Sequence, residues 1–134
     1  MTAGLVLDTH TLVWLLMQPK RLSPAALGAI QAVRNAGEQL FVPTICLVEV
    51  AYLIEKRRLS QDAWGRVREA VGSSEGVFVL MPLDIAVADS LRRVSAAEVP
   101  EMPDRIIAAT ASMPDLPLVT RDRRITLSSI ETIG

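Results

Sequence analysis

Four short apolar runs constrain this chain more than any other feature: GLVLD at 4–8, LFVP at 40–43, VFVLMPL at 77–83 and LPLVT at 116–120. Each reads as a buried strand, and stretches of helical length separate them. Buried strands joined by helical crossovers make a parallel sheet covered on both faces. The expectation is an α/β chain with a mainly parallel sheet of four strands, to which IETI at 130–133 adds a fifth at the edge. With 134 residues, half of them hydrophobic, the chain is long enough for one sizeable core and reads as a single domain, 1–134.

The helices announce themselves by their ends. THTLVWLLM at 9–17 suits a helix that is apolar over most of its surface and stops before Pro19. Ser23 is a good N-cap for the next helix, with Pro24 at its first position and Gly37 as its stop. TICLVEVAYLIEKRRL begins at Thr44, the expected cap, and ends in bases that suit the macrodipole. Ser60 is expected to cap a polar helix to about Val71, and Asp84 one reaching about Ala96. Asp104 is expected to open the short helix DRIIAATASM.

Composition excludes more than it selects. A formal net charge of −1 gives no global attraction to nucleic acid, so an anionic substrate needs local basic groups or metal ions. The single cysteine, Cys46, rules out an internal disulfide and a thiolate cluster, and reads as a small core residue. The N-terminal stretch lacks a basic n-region, and Asp8 interrupts its apolar run. Neither a signal peptide nor a membrane span is expected, and the location expected is cytoplasmic.

The acids fall at telling places. Asp8 closes the first strand, Glu49 lies about a turn and a half into the helix after the second, Asp104 precedes the fourth and Asp122 follows it. Ligands of open parallel sheets bind outside the carboxyl ends of the strands, so these four carboxylates can converge on one edge. Converging carboxylates repel one another, and a hard divalent cation such as Mg²⁺ or Mn²⁺ resolves the repulsion. Two such ions can serve both the attacking and the leaving oxygen of a phosphodiester. Each acid has a plainer use: Asp8 and Asp104 as helix caps, Asp122 as a turn residue and Glu49 as a surface acid.

Four blocks in order, VLDTHTLVWLL, PTICLVEVAYL, PDRIIAATA and LPLVTRDRRI, resemble the PIN-domain family, and more narrowly the VapC-type toxin ribonucleases of toxin–antitoxin pairs. The resemblance implies a three-layer α/β/α sandwich and a Mg²⁺- or Mn²⁺-dependent endoribonuclease that cuts RNA by metal-activated water. Carried over by position, it implies Asp8, Glu49, Asp104 and Asp122 as the catalytic and metal-binding quartet, with Thr120 supporting the last acid across the T-x-D turn. It also implies a cognate antitoxin and a homodimer. Related sequences often read H-x-D-P-x-D-R before the third acid. This chain has PEMPDR there, without the histidine or the first aspartate, so no catalytic role is assigned to that loop, and Glu101 is a candidate substitute for an outer acid.

Basic and aromatic residues near the acids bear on substrate contact. Arg105, Arg121 and Arg123 flank the acids and are candidates for RNA phosphates, while Lys56, Arg57 and Arg58 read chiefly as a helix end. His10 reads as a structural residue on the strand-to-helix turn, with Thr9 and Thr11 as capping residues. Phe41, Phe78 and Trp14 read as core or interface and Trp64 as partly exposed, so no stacking platform is expected. Two other classes remain alongside the nuclease. One is a non-catalytic PIN-like binding or assembly module, which the intact quartet disfavours. The other is a phosphoryl-accepting domain, which would want an aspartate where His10 stands, or a late lysine, whereas Lys56 is the last one.

Overall fold

The structure, a computed structural model, describes residues 4–73 and 76–134. Five strands form one parallel sheet: β1 (Gly4–Leu7), β2 (Gln39–Pro43), β3 (Phe78–Met81), β4 (Leu118–Val119) and β5 (Thr132–Ile133), in the order β3-β2-β1-β4-β5. The expected fifth strand lies at the edge. The helices are α1 (Thr9–Met17), α2 (Pro24–Asn35), α3 (Thr44–Glu55), α4 (Asp62–Gly72), α5 (Ile85–Leu91), α6 (Met102–Ser112) and α7 (Arg123–Thr126). Helix α2 lies against β1, β2 and β5, whereas α1, α3, α4 and α6 pack on one another. The result is the expected α/β/α sandwich.

Its core is drawn from the apolar runs. Val6, Leu7, Leu40, Val42 and Leu118 are fully buried in the sheet, and Leu12, Ile30, Val50 and Ile107 cover it from the helices. Phe41 and Phe78 are core residues, as expected. Cys46 is fully buried with its thiol directed at the Leu7 carbonyl, and burial pushes that thiol far above its ordinary pKa. It is a packing residue, not a nucleophile.

Ser23 caps α2 by accepting from the Ala26 N–H, and Asp84 caps α5 in the same way from Val87. Gly37, with φ of 72°, ends the α2 segment in the left-handed region that glycine adopts freely. Several boundaries differ from the sequence expectation, each for a local reason. Pro43 rather than Thr44 precedes α3, because the Thr44 hydroxyl donates instead to the Met81 carbonyl and ties α3 to β3. Ser60 contributes its backbone carbonyl, not its hydroxyl, to the start of α4, which begins at Asp62. Helix α5 stops at Leu91 rather than near Ala96. The Arg105 guanidinium reaches across from α6 and donates to the carbonyls of Leu91 and Val94, which stabilises a turn where a further helical turn was expected. Helix α6 begins at Met102, two residues ahead of Asp104.

The strand order fixes where a ligand can enter. From β1 the chain builds outward through β2 and β3, then crosses back to lay β4 and β5 on the other side of β1. The reversal lies between β1 and β4, and a crevice opens at the carboxyl ends of strands flanking such a reversal.

Candidate active site

The crevice is a cleft of about 450 Å³ whose walls include Asp8, Glu49, Asp104 and Asp122. All four predicted acids therefore meet in one place. Asp8 leaves β1 in register with Thr120 leaving β4, since Leu7 pairs with Val119. The Asp8 carboxylate is 6 % exposed. One oxygen accepts from the Thr11 N–H at 2.8 Å and so caps α1, and the other accepts from the Thr120 hydroxyl. The capping use and the site use of Asp8 thus coexist in one side chain.

Thr120 does more than support the last acid. Its fully buried hydroxyl also accepts from the Asp122 N–H at 3.0 Å, so one side chain locks the positions of Asp8 and Asp122. Asp122 in turn caps α7, one oxygen accepting from the N–H groups of Arg124 and Ile125. Glu49 accepts from the Thr9 hydroxyl at 2.6 Å, which binds α3 to the start of α1. The Thr11 hydroxyl donates to the Val119 carbonyl at 3.0 Å. Thr9 and Thr11 are thus cross-links between elements rather than caps.

Asp104 differs from the other three. It sits in the first turn of α6 without serving as its cap. Partial burial and then the charges of Asp122, Glu49 and Glu101, with a hydrogen bond to the Asp122 carboxyl group, push its pKa up to about 7. Beyond the effect of burial, the shift reports negative charge gathered in the cleft. Glu101 adds to that charge, although it does not line the cleft.

Among the described residues, no three His, Cys, Asp or Glu side chains already stand close enough to enclose one ion. The surplus charge and the lack of a cage agree once the type of ion is considered. A hard divalent cation keeps several waters and needs one or two carboxylates, so an open acidic wall suits it better than a closed cage. An all-oxygen donor set suits a hard cation better than a soft one.

The basic candidates separate clearly. Arg121 lines the cleft, whereas Arg123 is exposed outside it. Arg105 also lies outside it, its guanidinium engaged with α5 as described and its Nε buried without a hydrogen-bond partner among the described residues. The sequence reading missed Arg21 and gave Arg58 and Trp14 other uses, yet all three line the cleft, as does His10. A signal existed: His10 and Trp14 are spaced i, i+4 directly after Asp8, so they share the face of α1 that Asp8 begins.

A sequence profile of the PIN domain matches residues 5–130. The chain belongs to the PIN domain family. No curated protein sequence matches it. Among solved structures, this PIN domain is similar to a chain of the Rickettsia felis VapBC2 complex bound to a DNA fragment from its promoter, with TM-score 0.69 and 12 % identity over 97 % of this chain and 98 % of that one. It is similar also to chains of a Klebsiella pneumoniae toxin–antitoxin complex (TM-score 0.65, 21 % identity) and of DNA-bound VapBC from Salmonella typhimurium (TM-score 0.66, 20 % identity), each over 98 % of this PIN domain and 97 % of the other chain. At these identities the likeness is one of fold.

The role of Thr120 gives a direct expectation. Thr120→Val preserves shape but leaves a buried Asp8 oxygen and the Asp122 N–H without their partner. Chemical denaturation should register a loss of about 1–3 kcal/mol. Thr120→Ser should recover most of it. Equal stability of the valine variant would mean that the hydroxyl does not hold the two acids.

Proposed function

We propose that this PIN domain is a metal-dependent endoribonuclease, the toxin of a toxin–antitoxin pair. The observation that carries the reading is the convergence of Asp8, Glu49, Asp104 and Asp122 on one cleft at the switch point of the sheet. Those four are the residues proposed to hold Mg²⁺ or Mn²⁺. Bound there, the cation supplies an acidified water for attack on phosphorus and positive charge for the departing alkoxide. The chain supplies the rest. Asp8 and Asp122 are fixed through Thr120, Glu49 is oriented by Thr9, and Asp104 would have to release its proton to hold a cation. The products expected are a 5′-phosphate and a 3′-hydroxyl.

Purified protein should cut RNA with Mg²⁺ or Mn²⁺ present and stop on chelation, with Asp104→Asn prepared identically as the control for contaminating nuclease. Cleavage that survives chelation, or equal cleavage by the control, would sink the reading.

We further propose an antitoxin partner and a homodimer. Exposed apolar side chains support protein association: Val48 and Tyr52 on α3, and Leu83, Ile85 and Met102 around a groove between α5 and α6. The solved relatives named above are themselves toxin–antitoxin assemblies. Sedimentation equilibrium of the purified chain should return twice the monomer mass, and a monomer at micromolar concentration would exclude the dimer. Among the described residues no helix is long and apolar enough to cross a membrane.

A further inference from the structure

The cleft that the four acids line is lined also by a group of cations around a single indole. The Arg21 guanidinium, from the turn Pro19–Arg21 after α1, lies over the Trp14 ring at 4.6 Å from its centroid. The Arg121 guanidinium, from the loop after β4, lies over the same ring at 5.6 Å. The His10 ring tilts against Trp14 with centroids 5.7 Å apart. Arg58 lines the same cleft. Two guanidinium groups from distant parts of the sequence thus share one aromatic surface, although like charges repel. The indole offsets that repulsion through its π face, and both arginines line the cleft while remaining exposed.

This arrangement answers a difficulty set by the acids. A polyanion approaching an acidic wall is repelled along its length, and a bound cation compensates only where it sits. A guanidinium group over a ring makes no hydrogen bond to it, so its N–H donors stay available, and their fork matches phosphate oxygens. With cations over it, the indole is better suited to holding arginines than to stacking bases.

We propose that Trp14, Arg21 and Arg121 form a phosphate clamp in which the indole positions both guanidinium groups to grip the RNA backbone beside the phosphodiester presented to the acids. The inference rests on the ribonuclease reading and assigns the part of the cleft that reading leaves unused. Arg21 and Arg121 are binding residues, and Trp14 acts through them. Backbone contacts of this kind carry no base information, so the clamp fixes where RNA lies and not which sequence is cut.

The test uses Asp104→Asn protein, which should bind RNA without cutting it, and a fluorescent single-stranded oligonucleotide titrated over a range of salt at fixed Mg²⁺. Adding Arg21→Gln or Arg121→Gln should weaken binding about 10-fold and flatten the log–log salt dependence by about 0.7 each. In a Trp14→Leu background the same arginine changes should cost less than about 3-fold, while Trp14→Phe should retain most of their effect. Since Trp14 packs against the core, a measurement with its ring intact is also needed. Trp64→Phe leaves Trp14 as the sole tryptophan, and its fluorescence should change on RNA binding.

An unchanged salt slope, full arginine effects without the indole, unaltered Trp14 fluorescence or the absence of RNA binding would each overturn the clamp. The two readings can fail separately. Wild type that cuts RNA while the slopes stay unchanged loses the clamp and keeps the nuclease. Binding with both arginine effects but no cleavage by wild type keeps the clamp and loses the nuclease.

Discussion

Asp104→Asn is expected to lower RNA turnover by at least about 10³-fold while making the metal-free protein more stable near pH 8. The activity loss follows from removing a carboxylate from the proposed cation site, where several kcal/mol of transition-state charge stabilisation are at stake. The stability gain follows from the partial burial of Asp104 and then from the repulsion of its acidic neighbours, both of which disfavour the ionised form. Its carboxyl binds a proton more tightly in the folded chain than in the unfolded one, with a folded pKa of about 7 against an ordinary 3.8. Folding therefore takes up a proton between these values, and stability falls as pH rises through that window. Below it both states are protonated and the penalty vanishes; above it the penalty is complete. Asparagine imitates the protonated acid, so it should match wild type near pH 4 and exceed it near pH 8. Asp104 is only partly buried, so water screens these penalties and the gain is about 1 kcal/mol, or roughly 3–5 °C in Tm. Thermal melts at the two pH values check this, and a variant that melts below wild type at pH 8 would remove the repulsion argument.

The second large effect is the reverse operation, supplying the cation. Mn²⁺ or Mg²⁺ at about 100 times its Kd should raise the stability of the folded chain by about 2.7 kcal/mol. That corresponds to about 8–12 °C in Tm for a domain of this size. The shift should shrink as pH falls through about 7, because the proton on Asp104 competes with the ion for the same oxygens. Near pH 5 less than half of it should remain. Metal-dependent melts of wild type and Asp104→Asn at both pH values are decisive. An identical shift in all four conditions would place the ion elsewhere on the protein.

The sheet and the acids were legible in the sequence because both depend on local patterns. Buried strands need apolar runs, and a lone aspartate closing such a run needs a partner. Asp8 revealed itself in that way, and Glu49 did so as the only charge in the ten residues ICLVEVAYLI at 45–54. What was not legible depends on contacts between distant segments. Arg105 reads as a candidate phosphate contact because it follows Asp104, yet its guanidinium closes the end of α5, a segment whose early stop no local propensity announces. Thr9 and Thr11 have good capping chemistry, but their hydroxyls find Glu49 and the Val119 carbonyl across the fold. Trp14 reads as core because an indole is large and apolar. Its place at the cleft depends on Arg21 and Arg121 arriving from elsewhere.

The hydrogen bond between Thr120 and Asp8 joins the first strand of the sheet to the fourth. During synthesis, β1 emerges from the ribosome long before the strand that completes its second edge. A nascent chain, or a fragment released early, therefore holds Asp8 without Thr120, without β4 and without Asp122. Such a product cannot assemble the cleft, whatever else it folds. The cleft is therefore complete only in a chain translated past residue 122 and freed far enough for β4 to pair with β1.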